Sequence, residues 1–233
     1  MTSLFHDRHE AGKHLAEKLT AYMERDDVIV LALPRGGVPV AFEVAQHLHA
    51  PLDLMLVRKL GVPGHEELAL GAVALPDVCV FNHDVILSAG LSQEEIKGVV
   101  AKEAAELMRR NWLYRGDEPA PNLKDRIVIL IDDGIATGAT MHAAVCAVAQ
   151  QQPLRLIVAA PVAAREAVAM LDQQANEVVC LHAPEPFGGV GRFYKTFDQT
   201  TDKEVLNLLE QARHWGKGHV HFGEEHKHAR PGL

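Results

Sequence analysis

The sequence has no surplus of positive charge, few cysteines and no apolar run long enough to cross a bilayer, and each absence excludes something. Its 23 Lys and Arg stand against 31 Asp and Glu, a formal charge of −8 with the 14 His neutral. Binding a phosphate backbone needs a basic surface that releases counterions, and no basic run stands out, so no nucleic-acid partner is expected. Cys79, Cys146 and Cys180 are odd in number, widely spaced and flanked by aliphatic residues. That usage fits reduced core thiols of a cytoplasmic protein better than a disulfide framework. No segment approaches about 18 consecutive apolar residues, and the stretch from Met1 to Arg8 lacks a signal-peptide core. Neither membrane spanning nor secretion is expected, which leaves the cytoplasm as the expected location.

What is present is an ordinary globular composition, 48% hydrophobic and 23% charged over 233 residues. At about 150 residues per domain this allows one generous domain with a sizeable core. Asp7-x-x-Glu10 reads as a capping box that opens a helix to about residue 23. Residues 28–33 and 52–57 are short apolar runs that read as buried strands, separated by a turn at 34–39 and a helix at 40–48. Between 58 and 91, Gly, Pro and charged residues break the pattern into small strands and a mobile loop at 58–75. Ser92-x-x-Glu95 opens a long helix to about 114. Strand 126–131, helix 140–151, strand 154–160, helix 164–174 and strand 177–181 follow, and Thr201-x-x-Glu204 caps a helix to about 214. This alternation predicts an α/β fold, a doubly wound, mainly parallel sheet with helices on both faces, within a domain of residues 1–214. Residues 215–233 are rich in His and Gly without a periodic apolar face, so a disordered tail is expected there. Its His219, His221, His226 and His228 offer at most a site for a stray divalent metal.

Chemistry concentrates where the strand at 126–131 ends in Asp132 and Asp133 and a Gly/Thr loop opens the next helix. In open α/β sheets, ligands bind at the carboxyl ends of strands. The helix start offers unpaired N–H groups and a positive dipole end, and Thr137 and Thr140 add hydroxyls, which together make a phosphate cradle. The adjacent carboxylates can accept hydrogen bonds from ribose hydroxyls or support Mg²⁺, so the segment describes a site for a phosphorylated sugar. It is not a Walker A loop, because Gly134 and Gly138 are too close and no Gly-Lys-Ser/Thr follows, and it is not G-x-G-x-x-G. Arg35-Gly36-Gly37, after the first strand, lets backbone N–H groups approach a pyrophosphate while Arg35 adds charge; a plain Gly-Gly turn is the alternative.

Ile131-Asp-Asp-Gly-Ile-Ala-Thr-Gly-Ala-Thr140 strongly resembles the signature of the type I phosphoribosyltransferases. Phe5-x-Asp-Arg8-x-x-Ala-Gly12, Leu33-Pro-Arg-Gly-Gly-Val-Pro-Val-Ala41, Val57-Arg-Lys-Leu-Gly-Val-Pro63 and Glu67-Leu-Ala-Leu-Gly-Ala-Val73 are similar to a subgroup of bacterial predicted phosphoribosyltransferases. Only the tail lies outside the resemblance. It implies that Asp132 and Asp133 face the ribose hydroxyls of phosphoribosyl pyrophosphate, and that Ala136, Thr137, Gly138, Ala139 and Thr140 hold its 5′-phosphate. Arg35, Gly36 and Gly37 would contact the pyrophosphate, and Arg58 and Lys59 would begin a flexible catalytic loop that closes over the reaction. Mg²⁺ would be held mainly by the substrate, with support from Asp132 and Asp133. The implied reaction displaces pyrophosphate from the anomeric carbon by a nitrogen of a nucleobase-like acceptor, through an oxocarbenium-like state. The family's small hood would fall at 184–197, where Phe193 or Tyr194 either stacks on a planar base or packs into the core.

Two departures stand out. Ala136 occupies the place where enzymes acting on 6-oxopurines usually carry Asp, which argues against hypoxanthine or guanine and matches orotate and adenine enzymes. Gly134 replaces a usual bulky aliphatic. The resemblance also implies a homodimer, and it leaves open a regulator that senses phosphoribosyl pyrophosphate or a nucleotide without turnover.

Overall fold

A computed structural model describes residues 3–75 and 78–216. Its centre is a five-stranded parallel sheet in the order β2-β1-β6-β7-β8, from β1 (Val28–Ala32), β2 (Leu52–Leu54), β6 (Ile127–Ile131), β7 (Arg155–Val162) and β8 (Glu177–His182). Every residue of β1 and β6 is buried, as expected for strands covered on both faces. Alternate residues serve the two sides. Val28, Val30 and Ala32 pack under α1 (Arg8–Lys18), α2 (Gly37–Leu48) and α7 (Asp202–Gly216); Ile29, Leu31, Val128 and Leu130 pack under α5 (Ala139–Ala149) and α6 (Arg165–Leu171). Truncating such a residue, Ile129→Ala for instance, costs about 2–5 kcal/mol. The strand order reverses between β1 and β6, and at such a reversal the two connections diverge and leave a crevice at the carboxyl edge.

Between β2 and β6 the chain builds a second layer. β3 (Val57–Val62), β4 (His65–Ala74) and β5 (Val78–Phe81) form a three-stranded antiparallel sheet, followed by α3 (His83–Ala89) and the long α4 (Gln93–Arg115). The expected strand at 52–57 is therefore split: β2 stops at Leu54, the Met55 N–H still donates to Ala32 O at 2.8 Å, and the chain then leaves the parallel sheet. The segment 58–75, within a stretch expected to hold small strands and a mobile loop, is mostly strand held between α4 and α5.

The helix expected from residue 40 begins at Gly37, because Pro39 falls in the first turn, where its missing N–H costs nothing. At the chain's beginning, Leu4 and Phe5 N–H donate to Phe193 O, and Lys195 and Thr196 N–H donate to Phe5 O and His6 O. These bonds, with the packing of Phe5, Phe193 and Tyr194, make a small hood over the carboxyl edge of β7 and β8. α7 extends to Gly216, two residues past the expected domain end at 214; residues 217–233, where the disordered tail and its histidines were expected, lie outside the described residues.

Candidate active site

The crevice at the switch point brings together the segments that follow β1 and β6. The Asp132 carboxylate accepts the Asp133 N–H at 2.9 Å and borders a cavity of about 180 Å³ whose other walls are the loop from Gly134 to Thr140 and Met141. Gly138 precedes α5 with φ of +76°, and no side chain caps the helix. That backbone conformation is one that side-chain-bearing residues rarely adopt, and it aims the first turn of α5 at the cavity. Ala136 to Thr140 thus line one cavity together with Asp132.

Gly36 and Gly37 sit directly against the two carboxylates. A Cβ on Gly36 would lie 2.2 Å from Asp133 Oδ2, and one on Gly37 would lie 2.7 Å from Ile131 O and 2.9 Å from Asp132 Cα. The glycines are required by space rather than by a turn, since Gly36 has ordinary helical dihedrals. Arg35 stands at the same edge, its guanidinium 3.7 Å from Asp202 Oδ1 at the start of α7. Asp202 also accepts the Tyr114 hydroxyl at 2.5 Å, and burial with this bond pushes the Tyr114 phenol up to about 12.

The two acids differ in surroundings. Arg8 Nε donates to Asp133 Oδ2 at 2.8 Å, and both side chains are largely buried. Burial raises both carboxyls, Asp132 well above its ordinary value, where the adjacent Asp133 charge adds to the shift. Arg8 pulls Asp133 back down, so Asp132 is the acid that holds a proton more readily. As hard oxygen donors the pair fits Mg²⁺, an ion that keeps most of its shell from water and substrate phosphates.

Four predicted residues stand elsewhere. Arg58 and Lys59 are neighbours on a strand, so their side chains point to opposite faces. Arg58 turns to α4 and binds Glu103 with Nε–Oε2 of 2.7 Å. Lys59 turns to α5, where it lines a separate cavity of about 410 Å³ that meets the phosphate loop at Ala139. Phe193 and Tyr194 are 7% and 5% exposed. Phe193 packs on Phe187, and Tyr194 stacks on Phe197 with its hydroxyl donating to Asp133 O at 2.6 Å. Of the two readings left open for these rings, the structure has them packing.

Sequence reasoning missed Arg8, which lies 125 residues from its partner and holds its guanidinium 3.9 Å above the Phe197 ring. Its only signal was membership in the Phe5-x-Asp-Arg8 segment. Gly134 also gains an explanation: a Cβ there would lie 2.5 Å from Val190 Cγ1, so a hood side chain fills the space of the usual aliphatic.

Comparison with known proteins agrees with this geometry. A family model describing the phosphoribosyl transferase domain matches residues 5–193. Proteins from two strains of Mycobacterium tuberculosis, provisionally named phosphoribosyl transferases, are 46% identical over 210 residues, which is 90% of this chain and 47% of theirs. The chain thus spans about half the length of the curated relatives it matches. The crystal structure of TT1426 from Thermus thermophilus superposes with a TM-score of 0.80 at 42% identity, over 89% of this chain and 98% of that one. No helix among the described residues is long and apolar enough to cross a membrane. With the phosphate loop, the paired acids and the glycine loop converging at one switch point inside the matched span, the chain belongs to the phosphoribosyl transferase domain family.

Proposed function

We propose that the chain transfers the phosphoribosyl group of phosphoribosyl pyrophosphate to a ring nitrogen of a nucleobase-like acceptor, releasing pyrophosphate. The observation that carries this reading is the close approach of Gly36 and Gly37 to Asp133 and Asp132, which would let backbone N–H groups hold a pyrophosphate beside an acid for the sugar and a cradle for the phosphate. The first turn of α5, with the Thr137 and Thr140 hydroxyls, would hold the 5′-phosphate, and Asp132 would accept from a ribose hydroxyl. The C1′–O bond breaks with its electron pair leaving on pyrophosphate, while the acceptor nitrogen's lone pair forms the new C1′–N bond and its proton passes to solvent. Arg35, the Gly36 and Gly37 N–H groups and Lys59 would stabilise the departing charge, and the protein supplies positioning rather than a nucleophile. Bound Mg²⁺, supported by Asp132 and Asp133, would offset the charge of the pyrophosphate. Ala136 brings no carboxylate to the acceptor, which favours bases other than 6-oxopurines. Assembly as a homodimer belongs to the same reading.

A panel of bases with phosphoribosyl pyrophosphate and Mg²⁺ tests it. At least one base should release pyrophosphate above the level of a chain carrying Asp132→Asn and Asp133→Asn; none doing so would defeat the proposal. One observation favours the sensor reading: Arg8, Arg35 and Arg58 already have the acidic partners Asp133, Asp202 and Glu103. Tight binding without turnover would select it.

A further inference from the structure

The cavity of about 410 Å³ beside Lys59 lies between the smaller sheet and α5, and of its walls only Lys59 and Ala139 enter the proposed reaction. Its floor is one row of that sheet. Lys59 pairs with Ala72, and Ala72 with Val80, across β3, β4 and β5, and residues directly opposite in antiparallel strands share a face. Its roof is one stripe of α5, formed by Ala139, His142, Ala143 and Cys146 at steps of three and four residues. Protein interiors normally close to crystal density. Here floor and roof both carry alanine, at Ala72 and at Ala139 and Ala143, and side chains that short leave the two layers apart over a space the size of a small-molecule pocket. The two sides of that space differ in charge. Lys59 stands on β3, and Asp84 stands in the first turn of α3, which follows β5. Two strand spacings of about 4.8 Å put β3 about 10 Å from β5, roughly the length of a fused two-ring molecule with one substituent.

We propose that this cavity binds a planar heteroaromatic carboxylic acid as an effector, with the carboxylate on Lys59, the rings between Ala72 and Ala143, and a ring N–H donating to Asp84. The walls carry one ammonium and one carboxylate, which suits a monoanion with a hydrogen-bond donor at its far end. A polyphosphate fits poorly, because its further charge would meet Asp84. The apolar floor and roof supply the area that a flat ring system buries. Occupancy reaches the substrate site through Lys59. An effector that holds the Lys59 ammonium withdraws it from the departing pyrophosphate, so binding slows turnover without occupying the phosphate loop. Binding stands on the cavity alone, whereas its effect on turnover rests on the proposed reaction.

Indole-5-carboxylate is the probe, with indole and 5-(aminomethyl)indole as controls. Isothermal titration into the full chain should give one site for the acid with a Kd of about 1 mM or tighter, binding about tenfold weaker for indole and none for the amine. Ala143→Leu and Ala72→Leu fill the space from opposite walls, and each should abolish binding with an unchanged circular dichroism spectrum. The three indoles decide the charge requirement independently of either substitution. Saturating phosphoribosyl pyrophosphate with Mg²⁺ should weaken the acid by no more than about threefold. No binding of the acid, equal binding of acid and amine, binding that survives both substitutions, or full displacement by phosphoribosyl pyrophosphate would overturn the site. Pyrophosphate release reads the effector role separately: the acid should lower kcat of the wild type by about fivefold or more and leave Ala143→Leu within about twofold. Binding with no change in kcat would overturn the effector role and leave the proposed reaction intact, whereas a chain that binds the acid and turns over no base would overturn both.

Discussion

Two kinds of helix start divide this molecule. α3 and α4 begin away from the crevice on Asn82 and Ser92, and α1 and α7 begin at its rim on Asp7 and Thr201, each side chain accepting a backbone N–H of the first turn. At the carboxyl edge of the parallel sheet, α2 begins on Gly36 and α5 on Gly138, with no side-chain cap on either; the short α6, on Ala164, is likewise uncapped. Glycine at a cap position costs only about a few tenths of a kcal/mol against a Ser or Asp, so the starts of α2 and α5 give up little stability while leaving donors for an anion. The same edge buries two adjacent carboxyls whose pKa values are raised. The fold is locally destabilised where the substrate would bind and locally optimised elsewhere.

The largest effect should come from the acid at the centre of the destabilised edge. Asp132→Asn keeps the oxygen that accepts the Asp133 N–H and removes the charge, so turnover should fall by about a thousandfold or more. Stability should move the other way. A carboxyl whose folded pKa is raised contributes stability below its unfolded pKa and loses it as pH rises through the folded one. The variant should therefore melt about 2–4 °C above the wild type at neutral pH, with the gap closing as pH falls through the raised folded pKa and gone once pH is below the ordinary carboxylate range. Thermal scans from pH 3 to 8 read both the sign and the closure.

Next in size is Thr140→Asp. A negative charge in the first turn of α5 stabilises the helix by about 0.3–1 kcal/mol and repels a phosphate, so KM for phosphoribosyl pyrophosphate should rise by about tenfold or more while Tm does not fall. A variant that binds phosphate as well as wild type would erase the distinction between the two kinds of start.

How far the sequence could be read follows the same division. The buried strand before Asp132, the glycine loop after β1 and the Gly/Thr loop before α5 are local patterns, legible from neighbours within about ten residues. The three-stranded sheet was not, because Gly61, Pro63, Gly64 and Gly71 interrupt its alternation and its stability comes from α4 and α5 packed on either side. Nor were the contacts of Arg8 with Asp133 or Val190 with Gly134, which join segments far apart in the chain. For Phe193 and Tyr194 stacking and packing stayed open, because an aromatic pair in a glycine-rich stretch gives no sign of which face the fold will bury.

Within the smaller sheet, the opposite facing of Arg58 and Lys59 gives a finer test. Lys59→Ala should lower kcat/KM by about tenfold, whereas Arg58→Ala should stay within about twofold and cost about 1 kcal/mol through its partly buried pair with Glu103. The smallest effect belongs to the optimised class. Ser92→Ala breaks the capping box of α4 and should cost about 1 kcal/mol in denaturant unfolding with pyrophosphate release unchanged.

The account's central claim is that the uncapped start of α5 and the acid beside it are one substrate site. Isothermal titration of phosphoribosyl pyrophosphate with Mg²⁺ into the wild type, Thr140→Asp and Asp132→Asn tests it most directly. One site per chain should appear in the wild type, weakened about tenfold or more by each substitution. Equal binding by all three proteins would contradict it.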